Sequence, residues 1–354
     1  MTIGPSNRRI AQRLLSLISD LKPEGIQFME VCGTHTVSLS RFGIRALLPK
    51  GMRIVSGPGC PVCVTTNSDI SKAFQVASRE RYGLATFGDM MRVPLGGVTL
   101  FDLKAKGGDV RIVYSPMEAL HLARTKEVVF LGVGFETTSP AIASLLDQAR
   151  NQMISNISLL SFFKLIPPAL RALLDNGESK LDGFLLPGHV STIIGMQPYE
   201  FIVKEYGIPC AIAGFEPVDI LLAIYALAKM RAAKRPALVN TYTRSVRKEG
   251  NRRALELLEK YFQPVGVNWR GLGFIPQSGL KLRPEYQDMN AETRFEFKQI
   301  EIPEPTGCRC SDVIKGAILP NECLLFRRSC KPESPIGPCM VSSEGACAAF
   351  YSYG

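Results

Sequence analysis

The sequence predicts an α/β protein with two similar lobes, each a parallel β-sheet with helices on both faces, and a small irregular C-terminal domain. Short apolar runs alternate with segments of helical period, and this alternation occurs twice. Parallel strands that are buried on both faces have such continuous apolar runs. From about residue 240 the chain becomes turn-rich and then rich in Pro, Gly and Cys. The predicted domains are therefore 1–125, 126–239 and 240–354.

The elements can be assigned in chain order. An amphipathic helix is predicted over Asn7–Leu21, and it lacks the apolar centre and cleavage site of a signal peptide. Apolar runs then predict eight strands: Ile26–Cys32, Arg53–Gly57, Gly83–Asp89, Asp109–Ser115, Glu127–Glu136, Ile157–Phe163, Gly183–His189 and Pro209–Glu216. Helices between them include Asn67–Glu80, Thr138–Asn151 and Pro217–Lys234. One sheet is assigned to residues 26–125 and the other to residues 126–235.

Composition narrows the class of protein. The 354 residues are 46% hydrophobic and 21% charged, which is an ordinary globular balance, and no apolar run reaches membrane-spanning length. The net charge of +10 comes from dispersed Lys and Arg, so an acidic partner is favoured over nucleic acid. The predicted compartment is the cytoplasm, where ten cysteines favour metal or redox chemistry over structural disulfides.

Six of the ten cysteines lie in the last predicted domain, with the spacing C-x-C-x12-C-x6-C-x8-C-x7-C: Cys308, Cys310, Cys323, Cys330, Cys339 and Cys347. Zinc and a set of disulfides are both alternatives, although the paired C-x2-C knuckles of a zinc ribbon are absent. An iron–sulfur cluster needs four thiolates from loops, and their spacing need not be regular. The sequence favours a cluster with two further cysteines beside it.

A second group of cysteines follows the first two predicted strands. Cys32 ends the first strand, and Cys60 and Cys63 follow the second within Gly-Pro-Gly-Cys-Pro-Val-Cys. Neighbouring parallel strands end at one edge of a sheet, so these thiols are predicted to converge there, with the Cys32 sulfur exposed. His35 is a further candidate ligand, although helix capping or core packing would explain it equally. His189, after another strand, is a candidate for helix capping or for binding an anion.

An ordered set of motifs resembles the HypD family of hydrogenase maturation proteins from about residue 25 onward: EVCGTHT, GPGCPVCVT, FGDMMRVP, GFETTSPAIA, LLPGHVSTIIG, IAGFEPVDIL, WRGLGFIPQSGLKLR and GPCMVSSEGACAAFY. The resemblance implies two α/β lobes and a [4Fe-4S] domain similar to that of ferredoxin:thioredoxin reductase. It implies a scaffold on which cyanide and CO are attached to a mononuclear iron. The implied partners are a small HypC-type chaperone and a HypE-type cyanide donor.

Carried onto this chain, the resemblance makes Cys32, Cys60 and Cys63 the candidate catalytic and iron-binding residues, with His35 and His189 as further catalytic candidates. It also implies the cluster ligands, assigned as Cys310, Cys323, Cys330 and Cys347, and leaves Cys308 and Cys339 as a redox pair or alternative ligands. Two rival hypotheses remain. One is a cluster-fed thiol–disulfide reductase that uses Cys60 and Cys63 without bound iron cyanide. The other is a structural zinc module.

Overall fold

The computed structural model of the chain describes residues 5–177, 180–300 and 302–354. Its strands are β1 (Ile26–Glu30), β2 (Met52–Ser56), β3 (Tyr82–Thr86), β4 (Val110–Ile112), β5 (Glu127–Gly134), β6 (Ile157–Lys164), β7 (Gly183–Pro187), β8 (Cys210–Ala213), β9 (Leu238–Asn240), β10 (Phe262–Trp269) and β11 (Gly273–Leu282). All eight strands predicted from apolar runs are confirmed, with ends that differ by a few residues.

The helices alternate with these strands. They are α1 (Pro5–Asp20), α2 (Gly33–Arg41), α3 (Ile44–Leu47), α4 (Pro61–Val64), α5 (Asn67–Ala77), α6 (Leu100–Ala105), α7 (Pro116–Ala123), α8 (Ser139–Asn151), α9 (Ile166–Asp175), α10 (Gly188–Ile194), α11 (Glu200–Tyr206), α12 (Pro217–Ala232), α13 (Arg252–Tyr261), α14 (Ala291–Arg294), α15 (Cys310–Ile314) and α16 (Ala346–Tyr353). Thr66 caps the first turn of α5 and Ser115 caps the first turn of α7, because each side chain accepts a hydrogen bond from a backbone N–H of that turn. Within the described parts of the chain, no helix is long and apolar enough to span a membrane.

The first sheet is parallel throughout, with the strand order β2-β1-β7-β8-β9. Its centre is the pairing of β1 with β7, where Phe28 lies opposite Gly183. The strand order reverses there, since β2 follows β1 on one side and β8 follows β7 on the other. Such a switch point leaves a crevice at the carboxyl ends of the strands.

The second sheet has the order β10-β11-β6-β5-β3-β4. Strands β6, β5, β3 and β4 are parallel, whereas the hairpin β10–β11 adds antiparallel strands beside β6. The sequence analysis does not predict this hairpin, because the Gly and Pro residues within it are typical of turns. Pro264 is compatible with β10, because this strand lies at the edge of the sheet.

The assignment of strands to sheets was wrong. Strands β1 and β2 pair with β7, β8 and β9, while β3 and β4 pair with β5 and β6. The sheets therefore do not follow residues 26–125 and 126–235, because the chain leaves the first sheet after β2 and returns to it at β7. Apolar runs reveal that a segment is a buried strand, but not which strand it pairs with.

The C-terminal residues fold mostly as turns and short helices, and they pack into the core between the two sheets. Ile314 and Val341 are buried in the same cluster as Met29 and Val55 of the first sheet. Gly316 lies so close to Met29 and Val55 that a Cβ at this position would be 2.7 Å from Met29 Cε. This region is thus held partly by the core of the two sheets.

Candidate functional site

Cys32 lies where β1 ends and α2 begins, and the loop that follows β2 packs directly against it. The Gly33 N–H donates to the Gly59 carbonyl at 3.0 Å, and a Cβ on Gly59 would lie 2.6 Å from the Cys32 Cα. Only glycine allows this approach. The turns that carry Cys32 and Cys60 are therefore brought together at the carboxyl edge of the first sheet, as the sequence predicted.

The Cys32 thiol is buried, which contradicts the predicted exposure of its sulfur. The reason is tertiary, because Glu344 of the C-terminal region covers the start of α2. A Cβ on Gly33 would lie 2.7 Å from the Glu344 carbonyl oxygen, and Thr34 Oγ1 donates to Glu344 Oε1 at 2.8 Å. Burial and the nearby Glu344 carboxylate raise the pKa of Cys32 to about 12, although backbone N–H groups at the helix start oppose them. The free protein thus holds a neutral thiol here.

A buried carboxylate, Glu30, organises the turn around Cys32. Its Oε2 accepts the Cys32 N–H at 3.1 Å and its Oε1 accepts the Thr36 hydroxyl at 2.5 Å. Arg45 approaches the same carboxylate at 3.7 Å. Burial raises the pKa of Glu30 to about 7 against the attraction of Arg45. Sequence reasoning missed Glu30, although an acidic residue within an otherwise apolar strand was a visible signal.

Cys60 and Cys63 are joined by a disulfide across the single turn of α4. The Cys63 N–H donates to Cys60 Sγ at 3.2 Å, so Cys60 is the N-cap of that turn. The Cys60 sulfur thus accepts a hydrogen bond at the start of this turn.

All six C-terminal cysteines line one cavity. A disulfide joins Cys310 to Cys339, and the remaining four are free thiols: Cys308, Cys323, Cys330 and Cys347. This pairing differs from the assignment made in the sequence analysis, in which Cys339 was grouped with Cys308. Cys310 and Cys308 are separated by one residue, and spacing alone could not decide which of them faces Cys339.

The four free thiols lie close enough to influence one another. Burial raises the pKa of Cys347 above its usual range, and the neighbouring Cys330, Cys308 and Cys323 raise it further. Burial likewise raises the pKa of Cys308, with contributions from Cys330 and Cys323. Four thiolates around one cavity would repel each other unless a positive group lay between them.

The two disulfides meet at a second, smaller cavity. Cys60 and Cys63 line it together with Cys339 and Glu344. The Cys63 sulfur lies 3.9 Å from the Pro338 carbonyl oxygen, next to Cys339. The structure thus arranges the cysteines in a series that runs from the free thiols through Cys310–Cys339 and Cys60–Cys63 to the turn of Cys32.

The two candidate histidines both lie next to Phe215, which follows β8. The rings of His189 and Phe215 are stacked with centroids 3.9 Å apart, and the centroid of His35 is 4.9 Å from that of Phe215. His35 is fully buried, its Nε2 lies 2.9 Å from the Gly214 carbonyl oxygen, and burial lowers its pKa to about 4. Neutral His35 packs in the sheet edge, which is the alternative that the sequence left open.

No group of three or more Cys, His, Asp or Glu side chains in residues 5–177, 180–300 and 302–354 is arranged to hold a single metal ion. Cys60 and Cys63 are bonded to each other in this structure. Cys60 and Cys63 could join Cys32 as ligands only after this disulfide is reduced. The assignment of Cys32, Cys60 and Cys63 to mononuclear iron stays a prediction.

The fold and the site define a class of protein: an α/β protein with two neighbouring cavities that are lined by cysteines. A family model described as "HypD: Hydrogenase formation hypA family" matches residues 9–354. The chain therefore belongs to the HypD family of hydrogenase maturation proteins.

Individual relatives agree with this membership. The chain is 43% identical to hydrogenase maturation factor HypD2 of Bradyrhizobium diazoefficiens, with 93% of this chain and 89% of that protein aligned. It is 41% identical to hydrogenase maturation factor HypD of Rhodobacter capsulatus, with 97% and 93% aligned. A putative hydrogenase expression/formation protein of Methanocaldococcus jannaschii is 38% identical, with 99% of both chains aligned.

Proposed function

We propose that the protein is a scaffold for nickel–iron hydrogenase maturation, which holds an iron ion while cyanide and CO are attached. The observation that supports this most strongly is the series of cysteines from the six-cysteine cavity to the turn of Cys32. Such a series places a source of electrons on one side and a metal-binding thiol on the other. The proposed partners are a small HypC-type chaperone and a HypE-type cyanide donor, and the proposed compartment is the cytoplasm.

The six-cysteine cavity fits a [4Fe-4S] cluster. Four free thiols surround it, and a cationic iron cluster would relieve the burial and like-charge effects that raise the pKa of Cys308 and Cys347. We assign the ligands as Cys308, Cys323, Cys330 and Cys347, which replaces Cys310 of the earlier set by Cys308. The bound cluster would supply electrons one at a time, next to a pair that accepts two.

The two disulfides form the proposed relay. Cys339 lines both cavities, so the Cys310–Cys339 pair lies between the free thiols and the Cys60–Cys63 pair. Disulfides in a reducing compartment are usually transient and redox-active, which agrees with exchange between these two pairs.

Cys32 is the proposed iron-binding thiol. It is the free cysteine at the sheet edge next to the relay, and a soft thiolate suits ferrous iron with cyanide and CO. Because its pKa is raised, iron binding would release the thiol proton, and affinity would increase with pH. His189 is exposed and stays a catalytic candidate, whereas the burial of His35 favours a packing role.

The second candidate function is a thiol–disulfide reductase that receives its electrons from the cluster. The two adjacent disulfides favour it as well, because such a reductase would pass electrons through them to a substrate disulfide. Infrared spectroscopy of the protein co-purified anaerobically with the small partner separates the two functions. A scaffold gives cyanide and CO bands, together with about four iron and four sulfide per chain beyond the scaffold iron.

The test variant is Cys32→Ala, which should lose the infrared bands. Its matched control is Cys210→Ala, because Cys210 is a free, buried cysteine within β8 that lines neither cavity. It should retain the infrared bands and the cluster iron. A colourless protein with zinc in place of iron would refute the proposed function. Cluster iron without infrared bands would favour the reductase.

A further inference from the structure

The tip of the β10–β11 hairpin carries a buried arginine, Arg270. It lies between two segments, here called the two cysteine regions: the one that follows Cys63 and the one that precedes Cys308. Arg270 is 4% exposed, and its backbone N–H donates to the Val64 carbonyl at 2.8 Å. Its Nε donates to the Thr65 carbonyl at 3.0 Å and its Nη2 donates to Asn67 Oδ1 at 2.8 Å. These three partners lie one, two and four residues after Cys63 in the chain.

The same guanidinium also holds the segment that leads into the C-terminal cysteines. Its Nη1 pairs with the Glu304 carboxylate, four residues before Cys308. Asn67 strengthens the connection by donating its amide to the carbonyls of Ile302 at 3.1 Å and Pro303 at 3.2 Å. One buried side chain thus links the region after Cys63 to the region before Cys308.

A second contact of the hairpin tip lies next to Cys310. Gly271 has a φ of +79°, and a Cβ there would lie 3.0 Å from the Cα and Cβ of Ser311. Ser311 follows Cys310 in α15. The hairpin therefore contacts the chain on both sides of the C-x-C motif, at Glu304 and at Ser311.

We propose that this hairpin tip, through Arg270, is a positioning device that sets the distance between the Cys310–Cys339 and Cys60–Cys63 pairs. This inference rests on the proposed relay. In the step that it assists, a thiolate of the reduced Cys310–Cys339 pair attacks a sulfur of the Cys60–Cys63 disulfide. Two electrons and two protons pass between the pairs, so one disulfide forms while the other opens.

Arginine suits this role because its planar fork donates in several fixed directions at once, which lysine cannot reproduce. Thiol exchange also requires close alignment of the attacking and leaving sulfurs, and an error of about 1 Å can cost about 10²-fold in rate. Arg270 does not touch a sulfur in any of its hydrogen bonds. It acts through the backbone that carries them.

The experiment measures exchange between the pairs in the anaerobic, cluster-loaded protein. Both pairs start as disulfides, one equivalent of dithiothreitol is added, and thiols are alkylated at intervals and located by mass spectrometry. The variants are Arg270→Ala, Arg270→Lys and Glu304→Ala. Arg283→Ala is the control, because Arg283 follows the same hairpin but donates to the carbonyls of Glu259 and Phe262.

In the wild type, reducing equivalents should spread from the pair that is reduced first to the other. Arg270→Ala should slow this spreading about 10²-fold, and Arg270→Lys and Glu304→Ala should slow it less. Direct reduction of each pair by excess dithiothreitol and the cluster absorption should not change. A purely stabilising role would instead lower the melting temperature and leave the exchange rate as it was.

The outcomes separate this inference from the proposed function. Wild-type exchange in Arg270→Ala would overturn the positioning role and leave the scaffold intact. No exchange in the wild type, with cyanide and CO bands still present, would overturn the relay and the positioning role together. If Arg270→Ala does not fold, Glu304→Ala decides, because Glu304 is half exposed and its loss leaves the core packed.

Discussion

Replacing Gly59 by alanine tests whether close contact between the turns of Cys32 and Cys60 is needed for iron loading. The new Cβ would lie 2.6 Å from both the Cys32 Cα and the Val31 carbonyl carbon, whereas ordinary contact begins at 3.4 Å. Both neighbours are backbone atoms, so no flexible side chain can move aside. The two turns would have to separate by about 1 Å, which is enough to cost about 10²-fold in a reaction that depends on alignment.

The stability of Gly59→Ala should fall by about 1–3 kcal/mol, which is typical of overpacking. Gly88→Ala is the matched control, because the nearest atom to its Cβ would be Ile112 Cγ2 at 3.8 Å. The assays are thermal unfolding and the rate at which cyanide and CO infrared bands appear in the partner complex. The reasoning would be refuted if Gly59→Ala loaded iron at the wild-type rate and had the same melting temperature as Gly88→Ala. The close approach of Gly59 to Cys32 would then not position Cys32.

Two further predictions concern the cysteines, and a third concerns Glu136, a buried residue after β5 whose Oε1 accepts the Ile166 N–H at 2.9 Å. Cys32→Ala should abolish the cyanide and CO infrared bands while the cluster absorption remains, because the cluster cavity is lined by other cysteines; retained bands would move the iron to the Cys60–Cys63 region. Cys308→Ala should lose cluster iron and sulfide, whereas Cys310→Ala should keep them; the reverse pattern would restore the ligand set assigned from the sequence. Glu136, whose pKa burial raises to about 7 from 4.5, should make the protein less stable as pH rises from 4.5 to 7. In the folded state this carboxyl holds its proton to higher pH, so about 3 kcal/mol of stability is lost over that window. In denaturant titrations at pH 4.5 and pH 7, Glu136→Gln should remove this share of the pH dependence, whereas the share of Glu30, whose pKa burial also raises to about 7, should remain. An unchanged difference in unfolding free energy between the two pH values would show that Glu136 does not contribute.

The amino-acid sequence was sufficient to predict most of the local elements and to identify the candidate site residues. Eight buried strands followed from apolar runs, because a strand covered on both faces must be apolar along its length. The proximity of Cys32 to the Cys60 loop followed from strand ends, because neighbouring parallel strands finish at the same edge. The density of cysteines after residue 307 marked the second half of the site.

Three features could not be predicted from the sequence: which strands share a sheet, which cysteines pair and what covers Cys32. Strand pairing between β1 and β7 joins segments more than 150 residues apart, and short apolar runs carry no label for their partner. The Cys310–Cys339 disulfide depends on which face of a short helix meets the loop that carries Cys339. Glu344 covers Cys32, and Arg270 joins the two cysteine regions, through contacts between distant parts of the chain. These contacts depend on packing in three dimensions, which residue spacing along the chain does not specify.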